Sequence, residues 1–435
     1  MNSSVNLPWW AALIGLFFAI ILILFKLNAV YSLLLGAIIG SLIGGANLVQ
    51  TIGLLVSGGQ SVMGTILRVL AAGMLAGVMM ESGAADIIAR TIVSKMGDRL
   101  ALLALALATM LICAVGVFIP VAVLIVAPIA LEVGQRMKIS KLSLLIALSG
   151  GGKAGNIISP NPNTIAAAKG FKIEISQLMI ADFFPAVVAL VITVVLASLI
   201  KEKGPDILDQ DLKELTAHKK TKSLPKLSSA LVTPVVAIIL LLLNPLGSIF
   251  HISFLTKINL DALYVLPVAA IIGALAMKQG NKIRQYAESG MKRMTDVVLI
   301  LIGAGAIGAT ITSSSLPQVI IHLIKISGIS GVFLAPLAGI LMAAAAASTS
   351  TGVILGTSSF AKAILGFGVS PVAGAAMMHS GAIVIDHLPQ GNYFHVTANA
   401  MHMNIKQRSQ AILIESLPGL GATITATILY GFLHL

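Results

Sequence analysis

The sequence predicts an all-α polytopic membrane protein made of two inverted repeats, each with about five transmembrane helices plus a re-entrant hairpin and a broken helix. Three observations carry that expectation. Of the 435 residues, 57% are hydrophobic and 10% charged, and the mean hydropathy is +1.00; a soluble domain carries roughly a quarter charged residues. Apolar runs at 8–25, 30–45 and 230–243 approach the ~20 residues a helix needs to cross hydrocarbon. Polar landmarks recur at an offset of 231: Ser149-Gly150 with Ser380-Gly381, Asn161 with Asn392, and Gly97 with Gly328. A recurrence of that kind marks duplication.

The first repeat spans 1–200. Helices are expected near 7–26, 28–48 and 60–81, then an amphipathic segment at 84–96. Two short apolar helices, 99–115 and 121–137, form a re-entrant hairpin (99–137), followed by an interrupted helix (141–170) and a last span (176–200). A polar linker covers 201–226. The second repeat, 227–435, runs through 228–249, 261–277, 291–312, a segment near 314–326, a hairpin (331–368) built from 331–346 and 352–368, a broken helix (371–400) and 408–433. Five crossings per half is odd, so the second half is inverted.

Charge sets the orientation. With both termini outside, internal loops collect Lys26, Arg90, Lys95, Arg99, Arg136, Lys138 and Lys141. The linker adds Lys201, Lys203, Lys213, Lys219, Lys220, Lys222 and Lys226, and later loops add Lys278, Lys282, Arg284, Lys292, Arg293, Lys406 and Arg408. That places 21 of the 28 lysines and arginines inside, as the positive-inside bias requires. The linker is therefore expected in the cytoplasm and the chain in the cytoplasmic (inner) membrane. The net charge of +12 then needs no nucleic acid. No Lys or Arg precedes the first apolar run, so it reads as a span rather than a cleaved leader. The single Cys113 excludes an internal disulfide and reads as an apolar packer.

Ser149–Thr164, SGGGKAGNIISPNPNT, holds too many glycines and prolines to continue a helix. A broken backbone at membrane depth persists only where it lines a cavity or is buried in protein. Its freed N–H groups then become ligands, with Ser149, Asn156, Asn161, Asn163 and Thr164 adding neutral hydrogen-bonding groups. The counterpart around Ser380, Gly381, Gln390, Gly391 and Asn392 carries Asp386 and His387 between its ends. An intramembrane carboxylate is expensive and usually functional, and histidine titrates near neutrality. Asp386 and His387 are thus proton-coupling candidates; a half-helix cap is the competing role for Asp386. Lys153 has two open roles, receiving a substrate carboxylate or neutralising Asp386 or Glu132.

Hairpin tips supply the other walls. The first, Gly116–Val121, is apolar; the second, Ala347–Gly352, holds Ser348, Thr349, Ser350 and Thr351. Those hydroxyls suit a polyol, a carboxylate or Na⁺, or they return to their own backbone carbonyls. Asp182 and Glu415 open the last span of each half and read as structural helix-terminus charges. Arg68, Glu81, Glu132 and Asp296 are further intramembrane or interfacial charges.

On the motifs SGGGKAGNIISPNPNT (149–164) and MHSGAIVIDHLPQGNYF (378–394), with hairpin and broken helix in the same order in both halves, the chain resembles the gluconate permease family, within the ion-transporter superfamily. The resemblance covers nearly the whole chain. It implies inverted repeats and a substrate held between two hairpin tips and two broken helices. It also implies proton-coupled uptake of a sugar acid or related hydroxycarboxylate, a homodimer, and an elevator-like movement. The binding set would include the backbone of Gly150, Gly151 and Gly152, with Lys153 and the asparagine amides holding carboxylate and hydroxyls. No metal or organic cofactor is expected; the coupling ion is H⁺, with Na⁺ coupling or exchange of another carboxylate or amino acid as the rival. A channel would need a continuous polar pathway. An enzyme would need a nucleophile and base for which no motif is present.

Overall fold

The apolar runs fold as helices, and the computed structural model is 81% helical. It describes residues 6–434 except 26, 210, 212–223, 250, 251, 253, 255–259, 328, 329 and 390; for 244–246, 248, 249, 324 and 327 it describes the backbone alone. The first half contains α1 (Trp9–Leu24), α2 (Ala29–Ile43), α3 (Leu48–Ser61), α4 (Met63–Glu81), α5 (Ala84–Met96), α6 (Ala101–Ala114), α7 (Ile119–Met137), α8 (Lys141–Ile157), α9 (Pro162–Gly170), α10 (Ile175–Ala181) and α11 (Phe183–Leu199). The second half contains α12 (Leu227–Ala230), α13 (Val232–Ile249), α14 (Ala262–Ala276), α15 (Ile283–Arg293), α16 (Thr295–Thr312), α17 (Leu316–Ser327), α18 (Leu334–Ala346), α19 (Thr349–Gly366), α20 (Pro371–Ala382), α21 (Asn392–Ala400), α22 (Ile405–Ser409) and α23 (Ile412–Ala426).

Among the described residues, α4, α7, α16 and the stretch Ile405–Phe432 are each long and apolar enough to cross a membrane. Large apolar side chains such as Phe17, Phe184, Val191 and Leu413 face outward, as suits contact with lipid. Lipid removes the hydrophobic drive between helices, so close backbone approach must hold them. A Cβ on Gly290 of α15 would stand 2.0 Å from the Gly73 carbonyl of α4, and one on Gly58 of α3 would stand 2.3 Å from the Gly305 carbonyl of α16.

The helix pairs interlock reciprocally. Helix α16 packs on α2 and α3, while α4 packs on α14 and α15; α6 lies on α8 and α18 on α20; α7 meets α21 and α19 meets α9. The first tip falls at 115–118, where Gly116 has φ 97°, and the second at 347–348, where Ala347 has φ 46°. A left-handed alanine is uncommon and stores strain at that tip.

Two expectations change. Helices α3 and α15 are separate elements: α3 starts at a reciprocal cap between Asn47 and Gln50, and α15 is a short amphipathic helix. The run 149–157 does not end a helix. Helix α8 continues through Gly150, Gly151, Gly152 and Gly155 and stops at Ile157, so the break is 158–161. Those glycines serve packing: a Cβ on Gly151 would lie 2.1 Å from the Ala106 carbonyl, and one on Gly155 would lie 2.0 Å from that of Met110. Gly150 faces Thr193 and Gly152 faces Ile119. The propensity cost of about 1 kcal/mol per glycine is offset by α8 seating directly on α6.

Candidate functional site

Both tips and both breaks meet at one cavity of about 660 Å³. Four helices begin there. Phe118 precedes α7, Asn161 precedes α9, Ser348 precedes α19 and Gly391 precedes α21. The local sequence sets each start: Pro120 and Pro162 occupy first-turn positions that need no N–H. Asn161 Oδ1 accepts from the backbone N–H of Asn163 (2.8 Å) and Thr164 (3.1 Å), and Ser348 Oγ accepts from that of Thr351 (3.3 Å). At α7 and α21 no side chain caps the first turn. Four partly positive helix ends therefore face one space, an arrangement that favours an anion.

Beside this space lies a buried charge network. Lys153 Nζ stands 2.8 Å from Asp386 Oδ1, 2.5 Å from the Ile383 carbonyl and 2.9 Å from His387 Nδ1. These three contacts use all three ammonium hydrogens. His387 completes the network when protonated on Nε2, which lies 2.8 Å from the Ile412 carbonyl. Thr349 donates to Asp386 Oδ2 at 2.5 Å, tying the second tip to this carboxylate. Ser350 donates to Asn163 Oδ1 at 2.5 Å, tying the same tip to the first broken helix.

A second buried cluster adjoins the first. Arg408 Nη2 lies 2.7 Å from Glu415 Oε2, Arg408 Nε donates to Thr397 Oγ1 at 3.0 Å, and its guanidinium covers the Phe394 ring at 4.9 Å. Ser149 hydrogen-bonds the Tyr393 hydroxyl at 2.8 Å and donates to Glu415 Oε1. Further away, His379 Nδ1 meets Asp182 Oδ2 at 2.7 Å, both fully buried.

Of the expected site residues, Asn156, Asn163, Ser348, Thr349, Ser350, Thr351, Asp386, Gly391 and Asn392 line the cavity. Asn156 Nδ2 is buried there without a hydrogen-bond partner among the described residues. Lys153 and His387 stand behind Asp386 rather than on the wall. Ser149 belongs to the Glu415 cluster, and Asn161 and Thr164 form the α9 cap. The Ser380 hydroxyl returns to the Ala376 carbonyl at 2.7 Å, and Gly381 packs under the Pro336 carbonyl. Gln390 lies outside the described residues.

Three polar lining residues stand outside the expected set: Arg293, Asp296 and Tyr393. Arg293 lies 3.3 Å from Glu81 Oε1. Two cations assigned to loops are buried instead, Arg408 against Glu415 and Lys141 against Asp211 at 2.7 Å; Glu415, expected at a plain helix end, is the interior counterpart of Arg408. A position near the end of an apolar run does not reveal whether a side chain turns outward or inward.

The family model described as GntP family permease matches residues 7–429. An uncharacterized transporter of Haemophilus influenzae is 45% identical over 420 residues, 97% of each chain. The high-affinity gluconate transporter of Escherichia coli is 22% identical, covering 89% of this chain and 90% of its own. The D-serine transporter DsdX of E. coli is 24% identical, covering 82% and 83%. Among solved structures, the YdaH transporter of Alcanivorax borkumensis superposes with a TM-score of 0.66 at 16% identity, covering 98% of this chain and 99% of that one; this likeness concerns the fold.

Proposed function

The chain belongs to the GntP family of permeases and is a multi-pass membrane transporter, and on that premise we propose that it is a proton-coupled symporter of a small organic anion such as gluconate or a related hydroxycarboxylate. The observation that carries this reading is the convergence of four helix N-termini on the cavity, with the hydroxyls of the second tip beside them. The helix ends receive a carboxylate, and Asn156, Asn163, Ser350 and Thr351 receive hydroxyls. Asp386 lines the cavity and meets His387 Nδ1 at 3.1 Å, so it is where a proton entering the cavity passes to His387.

Reciprocal packing of the two halves supports an inverted repeat, and with it an elevator in which hairpins and broken helices slide past α4 and α16. The described ends of the linker lie on one face: Ser140 N–H donates to the Lys201 carbonyl at 2.8 Å, and Leu224 and Pro225 lie over Gly83. In the orientation we propose, that face is cytoplasmic, the membrane is the inner one, both termini are outside, and the protein is a homodimer. Arg293, paired with Glu81 close to that face, supports a cavity that opens toward the cytoplasm.

A second reading rests on Arg293 and Asp296, one turn apart on the cavity wall. Opposite charges at that spacing suit a zwitterion such as an amino acid. Uptake into proteoliposomes of labelled gluconate, small hydroxyacids and D-serine, with pH and Na⁺ gradients imposed separately, decides between them. Accumulation of a hydroxyacid under an inward proton gradient supports the first reading. Accumulation driven by Na⁺, or of amino acids alone, overturns it.

A further inference from the structure

A second cavity, of about 500 Å³, opens along the same seam. It is lined by α3, α4, the end of α9, and the faces of α16 and α19 that lie beyond the first cavity. Helix α9 lines the first cavity at Asn163 and the second from Ala166 to Gly170, and α19 lines the first at Thr351 and the second from Ile354 to Ser358, so the two spaces come within one helical turn, ~5 Å, along each helix. Leu301, Ile354 and Ala166, all nearly inaccessible, line the second cavity at its end nearest the first. The α8–α9 span begins beside the linker at Lys141 and ends here at Gly170, so this cavity lies on the face opposite the linker.

Its chemistry is one-sided. Lys169 and Lys172 are the only charged lining residues. Asp261, the carboxylate that feels the charge of Lys169, is already held by Arg68 Nη2 at 2.5 Å and by the Leu263 N–H at 2.9 Å. Among the described residues no carboxylate stands within ion-pair distance of either lysine. The hydroxyls of Ser57, Ser61, Thr312 and Thr357 give their protons to carbonyls of their own helices, which leaves lone pairs facing the space. Lys172 sits at φ 59°, a left-handed conformation rare outside glycine and asparagine. Two cations unpaired among the described residues, beside hydroxyl acceptors, match a solute with one carboxylate and several O–H donors.

We propose that this cavity is an anion-collecting vestibule on the face opposite the linker, in which Lys169 and Lys172 draw a hydroxycarboxylate to the seam before it passes to the tip cavity. The proposal rests on the transport reading above. Electrostatic focusing in a cleft lined by one sign of charge raises the local concentration of the opposite ion and is screened by salt. The plain alternative for Lys169, completing the C-terminal turn of α9, predicts effects on stability without charge preference.

Two measurements test it. In a Cys113→Ala background, Lys172→Cys is modified by an anionic sulfonate and by a cationic ammonium methanethiosulfonate of similar size. The anionic reagent should react faster, and Lys169→Gln should lower the ratio roughly threefold or more. In gluconate uptake, Lys169→Gln with Lys172→Gln should raise KM by a similar factor at low ionic strength with Vmax unchanged, and the difference should shrink in high salt. A ratio indifferent to Lys169→Gln, or an unchanged KM at low salt, overturns the vestibule. Absence of organic-anion uptake by the wild type under every gradient overturns the transport reading instead, and the modification ratio separates the two failures.

Discussion

The ammonium of Lys153, on the first broken helix, lies 2.8 Å from the carboxylate of Asp386 in the second break, and neither side chain reaches solvent. Each charge is tolerable at this depth because of the other. Burying an ion pair costs several kcal/mol per ion in desolvation, recovered only when geometry and further hydrogen bonds are good. Here Ile383, His387 and Thr349 provide those bonds.

Removing one partner strands the other. Asp386→Asn or Lys153→Met should each abolish accumulation and destabilise the fold by about 3–5 kcal/mol. The double variant Lys153→Met with Asp386→Leu should regain most of the thermal stability and none of the transport. Thermal unfolding in detergent beside uptake reads both; transport restored in the double variant would show that the pair is only structural.

The second tip should govern affinity. Thr349→Val removes a donor to a charged group, worth roughly 1.5–3 kcal/mol, and should raise the substrate KM about tenfold or more. Ser350→Ala should act in the same direction through Asn163. Ser380→Ala should leave KM unchanged, because its hydroxyl is spent on Ala376. Initial-rate uptake across substrate concentrations gives all three, and a Ser380 effect as large as that of Thr349 would refute the assignment.

Helix α8 should reject added volume. Gly155→Leu drives a side chain into the Met110 carbonyl, and overpacking of this kind costs ~1–3 kcal/mol or more. Lower yield of folded protein, with the tip residues intact, is the expected outcome in fluorescence-detected size-exclusion chromatography. Wild-type yield and melting temperature would show that α6 and α8 are further apart than described.

Much of this was legible in the sequence because lipid imposes simple rules. Apolar length marks spans, and the Ser-Thr tip and the Asp386 break stand out as polar groups that hydrocarbon would not tolerate unpaired. What stayed hidden depends on facing. Gly151 and Gly155 look like helix breakers in a one-dimensional run, yet their role follows from α6 lying against them. Arg408 and Arg293 sit near the ends of apolar segments as loop cations would, and only the packing shows one sealed against Glu415 and the other on the cavity wall. The break expected within 149–164 narrows to 158–161 for the same reason, because the glycines before it stay helical.

The central claim is that the solute sits between the two tips and the two breaks. Val396 lines that cavity and is half-buried, with no polar group to lose, so Val396→Cys in a Cys113→Ala background reports on occupancy without disturbing the ligands. The rate of its alkylation by a maleimide, measured with and without the transported acid, is the most direct test. The account predicts that saturating substrate slows the reaction several-fold and that Asp386→Asn removes the protection. Equal rates with and without a substrate that the same variant demonstrably transports would contradict it.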